Sequence, residues 1–229
     1  MGVRLAVIVA LLSGLLVACS VLVACSGGST GVVSETPAFR YANLAGEDLR
    51  NVDLVGRDLT GVVLDHADLT GADLTGATLD LASLSSANLT GARLVGVYAF
   101  GADFSGSTIS GADFTDASLR ETDLRRTVGT SVILDGADLS GSLMDGAQLR
   151  GASLRGARMV AATARTVDLT GADLTDAVLQ GAHVIVVGEP TRFFVHEGRS
   201  IDMTGATVAE AILDRVVLTD AILVGADLS

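Results

Sequence analysis

The sequence predicts an all-β solenoid, a rod in which short extended sides wind into stacked coils. From Tyr41 onward, the sequence repeats every five residues with little interruption. Within each repeat, alanine or another small residue stands two positions before a large apolar residue, usually leucine. Glycine is abundant, with 27 residues, whereas aromatic residues make up 3% and tryptophan is absent. This composition disfavours a globular core built on large rings.

The repeat unit reads Ala-Asp/Asn-Leu followed by two further residues, commonly Thr-Gly or Ser-Gly. A period of five fits neither an α-helix, at about 3.6 residues per turn, nor a flat strand, at about 2, because neither would bury one face continuously. We therefore expect alanine and leucine to point inward and the Asp or Asn between them to point outward. The last two residues turn the chain, and glycine supplies the backbone freedom there. Clear units begin at Ala67, Ala72, Ala87, Ala137 and Ala172.

Successive coils are expected to pair through backbone hydrogen bonds, about 4.8 Å apart, as in a parallel sheet. The interior then contains only side chains. Because small and large positions alternate, the leucines can stack into columns that exclude water.

Repeated in register over most of the chain, this unit resembles that of the pentapeptide-repeat proteins. The resemblance implies a right-handed four-sided parallel β-helix with four pentapeptides per coil, so that side chains one coil apart stack. Leu69, Leu89 and Leu124 then belong to the inner columns, and Phe104 and Phe114 place rings inside the tube.

The large position is small or absent at three sites: Ala99, Gly129 and Ala164. We expect these coils to be locally underpacked, with Tyr98 or Phe100, and Val128, compensating for the missing volume.

The N-terminus predicts an export signal. Arg4 precedes an apolar run from Leu5 to Ala24. Leu-Val-Ala-Cys occurs twice, ending at Cys19 and Cys25, and both copies resemble the lipobox of bacterial lipoproteins. In that family the cysteine is acylated, for example with palmitate, and becomes the mature N-terminus.

Cys25 is the favoured lipidation site because a flexible polar stretch, residues 26–31, follows it. Cys19 is the alternative, although cleavage there would leave an apolar mature end. An uncleaved transmembrane anchor also stays open, since about 20 apolar residues are enough to span a bilayer. In each case the repeats lie outside the cytoplasm, at the extracytoplasmic face of the cell membrane.

The predicted organisation has five parts: residues 1–24 signal peptide with lipobox, 25–40 tether, 41–184 pentapeptide-repeat β-helix, 185–200 interruption, and 201–229 final coils.

The interruption, residues 185–200, is the one long stretch without the five-residue rhythm, and the repeat resumes after it in a shifted phase. Short β-prone runs flank a turn-forming segment, which predicts a hairpin or protruding loop. Its candidate partner-binding residues are Arg192, Phe193, Phe194 and His196, a mixed aromatic and basic spot. In the alternative interpretation the phenylalanines plug an irregular coil.

Charge and composition exclude several function classes. The net charge is −12, from 27 acidic residues against 15 basic residues that are all arginine. This acidity argues against direct nucleic acid binding and against binding an anionic bilayer through a basic face. His66 and His183 are expected to be solvent-facing variants of the Asp position. They predict no metal site, and no catalytic motif or cofactor site is present.

The sequence therefore predicts a non-enzymatic, lipid-anchored lipoprotein that acts as a protein-interaction or envelope scaffold module. The expected partners are the membrane, an unknown protein and, in a possible homodimer, a second copy. The family also includes quinolone-resistance proteins whose acidic rods resemble duplex DNA and bind DNA gyrase. An acidic DNA-mimic-like inhibitor of such a protein is the alternative, if the chain is cytoplasmic.

Overall fold

The computed structural model describes residues 39–186 and 207–209. Its regular unit is a side of three extended residues and a two-residue corner. Parallel bridges link the middle residue of each side to the equivalent residue four repeats further on, from Asn43↔Val63 to Arg158↔Val178. Because the bridged partners are separated by four repeats, each coil has four sides. The fold is the right-handed, four-sided parallel β-helix that the sequence predicts.

We number the sides by their inward residues. The first side carries Leu44 and Leu64, the second Leu49 and Leu69, the third Leu54 and Leu74, and the fourth Leu59 and Leu79. Each corner takes the number of the side that it follows.

Backbone pairing follows one rule along the rod. The amide of Leu64 donates to the carbonyl of Ser83 in the next coil at 2.6 Å, whereas the amide of Asp68 donates to the carbonyl of Glu47 in the preceding coil at 2.9 Å. A side of an interior coil is therefore hydrogen-bonded to both neighbouring coils, so its main-chain N–H and C=O groups have partners.

The corners are tight turns that end each repeat. At one of them the amide of Ala67 donates to the carbonyl of Leu64 at 3.0 Å, and the second corner residue, His66, has a φ of 58°. This combination belongs to a type II turn, which favours glycine at that position. Twelve non-glycine residues of the described rod nevertheless adopt positive φ at corners.

Many of these twelve residues lean toward the next coil: their side chains lie against the glycine at the same corner, 20 residues later. The ring of Tyr41 approaches to 2.5 Å of the point where a Cβ on Gly61 would lie, and Oδ1 of Asn51 approaches to 2.6 Å of the same point on Gly71. The absence of a side chain on the glycine leaves room for the neighbour.

Three strands end the described rod: β1 (Thr163–Val167), β2 (His183–Val186) and β3 (Thr207–Ala209). They form one parallel sheet in the order β1-β2-β3. Ala164 pairs with Val184, which is the regular step of one coil. The same step from Val184 would reach position 204, but Val184 pairs with Val208 instead. The chain between β2 and β3 is thus longer than a regular coil, which accounts for the phase change in the sequence.

The core is the predicted stack of small and large apolar residues, and Leu69, Leu89 and Leu124 all lie in it. Phe104 on the first side and Phe114 on the third side meet inside the tube, edge to face, with centroids 6.0 Å apart and planes at 79°. The small Ala99 lies on the fourth side, directly before the coil that holds the two rings.

The expected compensation by sequence neighbours was wrong. Tyr98 and Phe100 are 58% and 43% exposed, and Val128 is only partly buried. At Gly129 the space is filled from the adjacent coils, since an added Cβ would lie 2.8 Å from Cδ2 of Leu149 and 3.0 Å from Cγ1 of Ile109. This coil is therefore not underpacked. Alternation explains the error, because residues beside an inward position must point outward.

Restoring the consensus residue at Gly129 is therefore expected to destabilise the protein. In a Gly129→Leu variant the new side chain would overlap Leu149 and Ile109, and overpacking of this kind costs about 1–3 kcal/mol. Urea unfolding followed by circular dichroism would measure the loss. The double variant Gly129→Leu/Leu149→Gly, which moves the large residue one coil along its column, should recover part of it. Wild-type stability in the single variant would show that the site holds an open gap.

Within residues 39–186 and 207–209, no helix is long and apolar enough to cross a membrane.

Candidate functional site

The site residues predicted from sequence fall outside the described part of the chain. These are the lipidation candidates Cys25 and Cys19, and the partner-binding candidates Arg192, Phe193, Phe194 and His196. Their roles stay predictions.

The two histidines in the described rod occupy different positions. His183 takes the outward Asp position of the first side, as expected, and its side chain is partly buried. His66 does not: it occupies the glycine position of the first corner, exposed and with a φ of 58°. It lies two residues after Leu64, where the chain turns, rather than between two inward residues. Among the described residues, no three His, Cys, Asp or Glu side chains are grouped to hold a metal ion.

Many of the outward Asp residues stabilise the corners through side-chain hydrogen bonds. Oδ1 of Asp68 accepts the amide of Thr70 at 3.1 Å and its hydroxyl at 2.5 Å, closing a local turn by side-chain hydrogen bonds. This role was not predicted, although the spacing of Asp or Asn two residues before Thr or Ser is visible in the repeat. The same pair of bonds recurs at Asp58–Thr60, Asp73–Thr75, Asn88–Thr90, Asp113–Thr115, Asp138–Ser140, Asp168–Thr170 and Asp173–Thr175.

These contacts favour the charged carboxylate. Hydrogen bonds from the side chain and backbone of Arg50 lower the pKa of Asp48 from 3.8 to about 2. The side-chain hydrogen bond from Thr75 likewise lowers the pKa of Asp73. At Asp168 burial disfavours ionisation, but the hydrogen bonds from Thr170 and the charge of Arg150 outweigh it and lower the pKa.

Because these pKa values are lower in the folded chain than in the unfolded one, the carboxylates stabilise the fold above the unfolded pKa of about 3.9, and this contribution disappears as the pH falls through the native pKa. We expect the melting temperature to fall by about 5 °C or more between pH 5 and pH 2. Calorimetry across that range would measure it. Asp168→Asn, which keeps an acceptor for Thr170, should flatten the dependence slightly. A melting temperature that rises on acidification would contradict the prediction.

An exposed apolar cluster lies on the fourth side and fourth corner. We call Leu81, Tyr98 and Phe100 the aromatic patch; they are 63%, 58% and 43% exposed. The amide of Leu81 donates to the carbonyl of Phe100 at 2.9 Å, and the amide of Phe100 donates to Oδ1 of Asp80 at 2.8 Å. Two adjacent coils thus hold the patch on a rigid backbone. Of the other large exposed apolar residues in the described rod, Tyr41 lies on the same corner two coils before Leu81, and Val55, Ile133 and Leu143 lie elsewhere.

Leu81 occupies a costly position. It stands at the glycine position of the fourth corner with a φ of 56°. A left-handed backbone costs about 1–2 kcal/mol for a residue with a Cβ. A large apolar side chain kept both strained and exposed is better explained by binding than by folding.

The charge of the rod is uneven along its axis. Residues 39–116 contain eleven acidic residues and four arginines, whereas residues 117–186 contain eight acidic residues and seven arginines. The coils nearer the N-terminus are thus strongly acidic, and those beyond are close to neutral. The aromatic patch lies within the acidic half.

The sequence matches the family model of pentapeptide repeats, in eight copies, over residues 38–71, 67–106, 79–116, 109–146, 142–181 and 201–229. No curated protein matched significantly.

Several solved structures are similar to this chain. HetL, a pentapeptide repeat protein involved in heterocyst differentiation regulation in the cyanobacterium Nostoc sp. strain PCC 7120, is 25% identical with a TM-score of 0.41, over 81% of this chain and 88% of that chain. Full-length QnrB1, a plasmid-mediated fluoroquinolone resistance protein, is 15% identical with a TM-score of 0.42, over 82% and 91%. A pentapeptide repeat protein from the thylakoid lumen of Arabidopsis thaliana is 24% identical with a TM-score of 0.30, over 51% and 68%.

Proposed function

This chain belongs to the pentapeptide-repeat family, and from that premise we propose that it is a non-enzymatic protein-interaction module of the cell envelope. A lipid on Cys25, or alternatively on Cys19, anchors it to the extracytoplasmic face of the cell membrane. The rod then presents the aromatic patch to a protein partner.

The observation that carries the proposal is the aromatic patch. Aromatic side chains dominate the binding energy of many protein interfaces, especially where they cluster on a rigid surface. Tyr98 and Phe100 flank the inward Ala99 and point outward together, and Leu81 extends the apolar surface along the axis by one coil. Removing these side chains from water on binding would yield free energy without reorganising the backbone.

Substituting the patch tests the proposal. In the triple variant Leu81→Gly, Tyr98→Thr and Phe100→Thr, each residue is replaced by a type found at the equivalent position of another coil, so the fold should be kept. We expect crosslinking and affinity capture from the protein's own envelope to recover the partner at least about tenfold less well.

The matched control removes three exposed apolar residues elsewhere, as Val55→Thr, Ile133→Ser and Leu143→Thr. It should capture the partner as well as the wild-type chain does. Equal capture by both triple variants would reject the aromatic patch as the binding surface.

The anchor has its own test. Intact mass of the membrane-extracted protein should show a diacylated or triacylated cysteine, and Cys25→Ala should abolish membrane association. Retention in that variant with loss in Cys19→Ala would move the lipid to Cys19. Recovery of unacylated protein from the cytosol would overturn the anchor and the localisation.

A second candidate is an acidic inhibitor that mimics duplex DNA toward a nucleic-acid-binding protein such as DNA gyrase. The eleven acidic residues of residues 39–116 favour it. Against it, many of these carboxylates are bonded to their own corners. A mimic should bind a basic partner and release it as salt rises, because screening weakens exposed charge pairs. A partner bound through the aromatic patch should resist salt.

A further inference from the structure

A groove of about 450 Å³ runs along the first corner, and none of its lining residues belongs to the aromatic patch. It spans four successive coils, roughly 14 Å at about 4.8 Å per coil. Gly106 lies on its floor, where the backbone has a φ of 64°. Its polar lining residues are Ser85, Ser86, Ser105, Arg125, Arg126 and Asp145.

Most of the lining is held in place by hydrogen bonds. The hydroxyls of Ser85 and Ser105 lie 3.3 Å apart in adjacent coils. Nε of Arg125 donates to both carboxylate oxygens of Asp123 at 2.9 Å. Oδ1 of Asp145 accepts the amide of Arg165 at 2.7 Å. The groove is therefore a preorganised surface and not a gap between loose side chains.

Arg126 differs from these residues. It occupies the glycine position of its corner with a φ of 58°, and within the described rod its guanidinium makes no ion pair. A guanidinium with five N–H donors thus lines the groove without a carboxylate partner. A strained backbone that presents an unpaired donor group suits ligand binding better than folding.

The mixture of groups limits the class of ligand. Arginine only donates hydrogen bonds, aspartate only accepts them, and serine hydroxyls do both. Charges in the groove nearly balance, because Arg125 is paired with Asp123 and Asp145 offsets Arg126, while the net charge of −12 repels polyanions. A neutral ligand rich in hydroxyls meets all these conditions.

The spacing of the groove adds a second constraint. Its polar groups recur once per coil, and an extended β-linked glycan presents its rings at a closely similar interval. We infer that the first-corner groove binds a short run of a neutral, extended glycan chain, with Arg126 and the serine hydroxyls as hydrogen-bonding partners. This site is separate from the aromatic patch and does not depend on the proposed function.

Isothermal titration of the full chain with chitotetraose, a neutral β-1,4-linked oligosaccharide, tests the inference. We expect saturable binding at millimolar or lower concentration, weakened at least about tenfold by Arg126→Gly, because the loss of a hydrogen bond to a charged group weakens binding by that factor or more. Glycine is favoured at that φ, so the variant should fold normally. The control, Ser131→Gly, relieves the same backbone strain at the second corner, where φ is 54°, and should bind like the wild type.

Three results would overturn the inference. They are no saturable binding of chitotetraose, equal binding by Arg126→Gly and wild type, or preferential binding of an acidic oligogalacturonate, which would indicate an anion site. Because the groove and the aromatic patch are separate, Arg126→Gly should still capture the protein partner.

Discussion

Replacing Leu139 by aspartate is expected to unfold the β-helix. Leu139 is fully buried on the fourth side, between Leu119 and Met159 in its column. No hydrogen-bond donor side chain belongs to the described part of that column, so a carboxylate there would be desolvated without compensation. We expect a loss of more than about 4 kcal/mol, measured by urea unfolding or seen directly as lost circular dichroism.

Its control is the adjacent outward residue. Asp138 accepts the amide of Ser140 at 3.0 Å, and the oxygen of an asparagine amide can accept the same bond. Asp138→Asn should therefore change the stability by no more than about 0.5 kcal/mol. Similar effects at the two positions would mean that the inward and outward faces are wrongly assigned.

Truncation of Phe104 should have the second largest effect. Its ring is fully buried and packs edge to face on Phe114 across the tube. Phe104→Ala should cost about 3–5 kcal/mol through lost burial and the cavity left behind. Phe104→Leu, which restores the residue usual on the first side, should cost clearly less.

A double-mutant cycle isolates the ring contact. Combining Phe104→Leu with Phe114→Leu should reveal a coupling free energy of about 0.5–1.5 kcal/mol, as expected for an aromatic pair beyond its buried area. Additive effects would show that the two rings pack independently, and a stable Phe104→Ala variant would mean that the tube can collapse around the gap.

The fold was predictable because its pattern is local. Each five-residue unit contains its inward pair, its outward acid and its corner, so Leu139 and Asp138 could be assigned to faces from the repeat alone. Packing between coils was not predictable in this way. The space at Gly129 is filled by Ile109 and Leu149, which belong to the preceding and the following coil and are 20 residues away in the chain.

The candidate surfaces were predictable only in part. The sequence shows that Leu81 and Arg126 replace corner glycines. That Leu81 is exposed next to the coil of Tyr98 and Phe100, with its amide bonded to Phe100, was found only in the structure. The role of Asp68 at its corner needed the geometry of the turn. The predicted binding segment, residues 185–200, lies almost entirely outside the described residues. The hypothesis that it binds a partner therefore stays a prediction.

The leaning corner residues set a rule for changing the length of the rod. Along the fourth corner of the described coils, bulkier residues and glycines alternate without exception: Tyr41, Gly61, Leu81, Gly101, Glu121, Gly141, Ala161 and Gly181. Duplicating or deleting a single coil would put two bulkier residues, or two glycines, in succession at this corner. Changes by two coils would preserve the alternation, so this molecule should tolerate growth and shortening by pairs of coils better than by single coils.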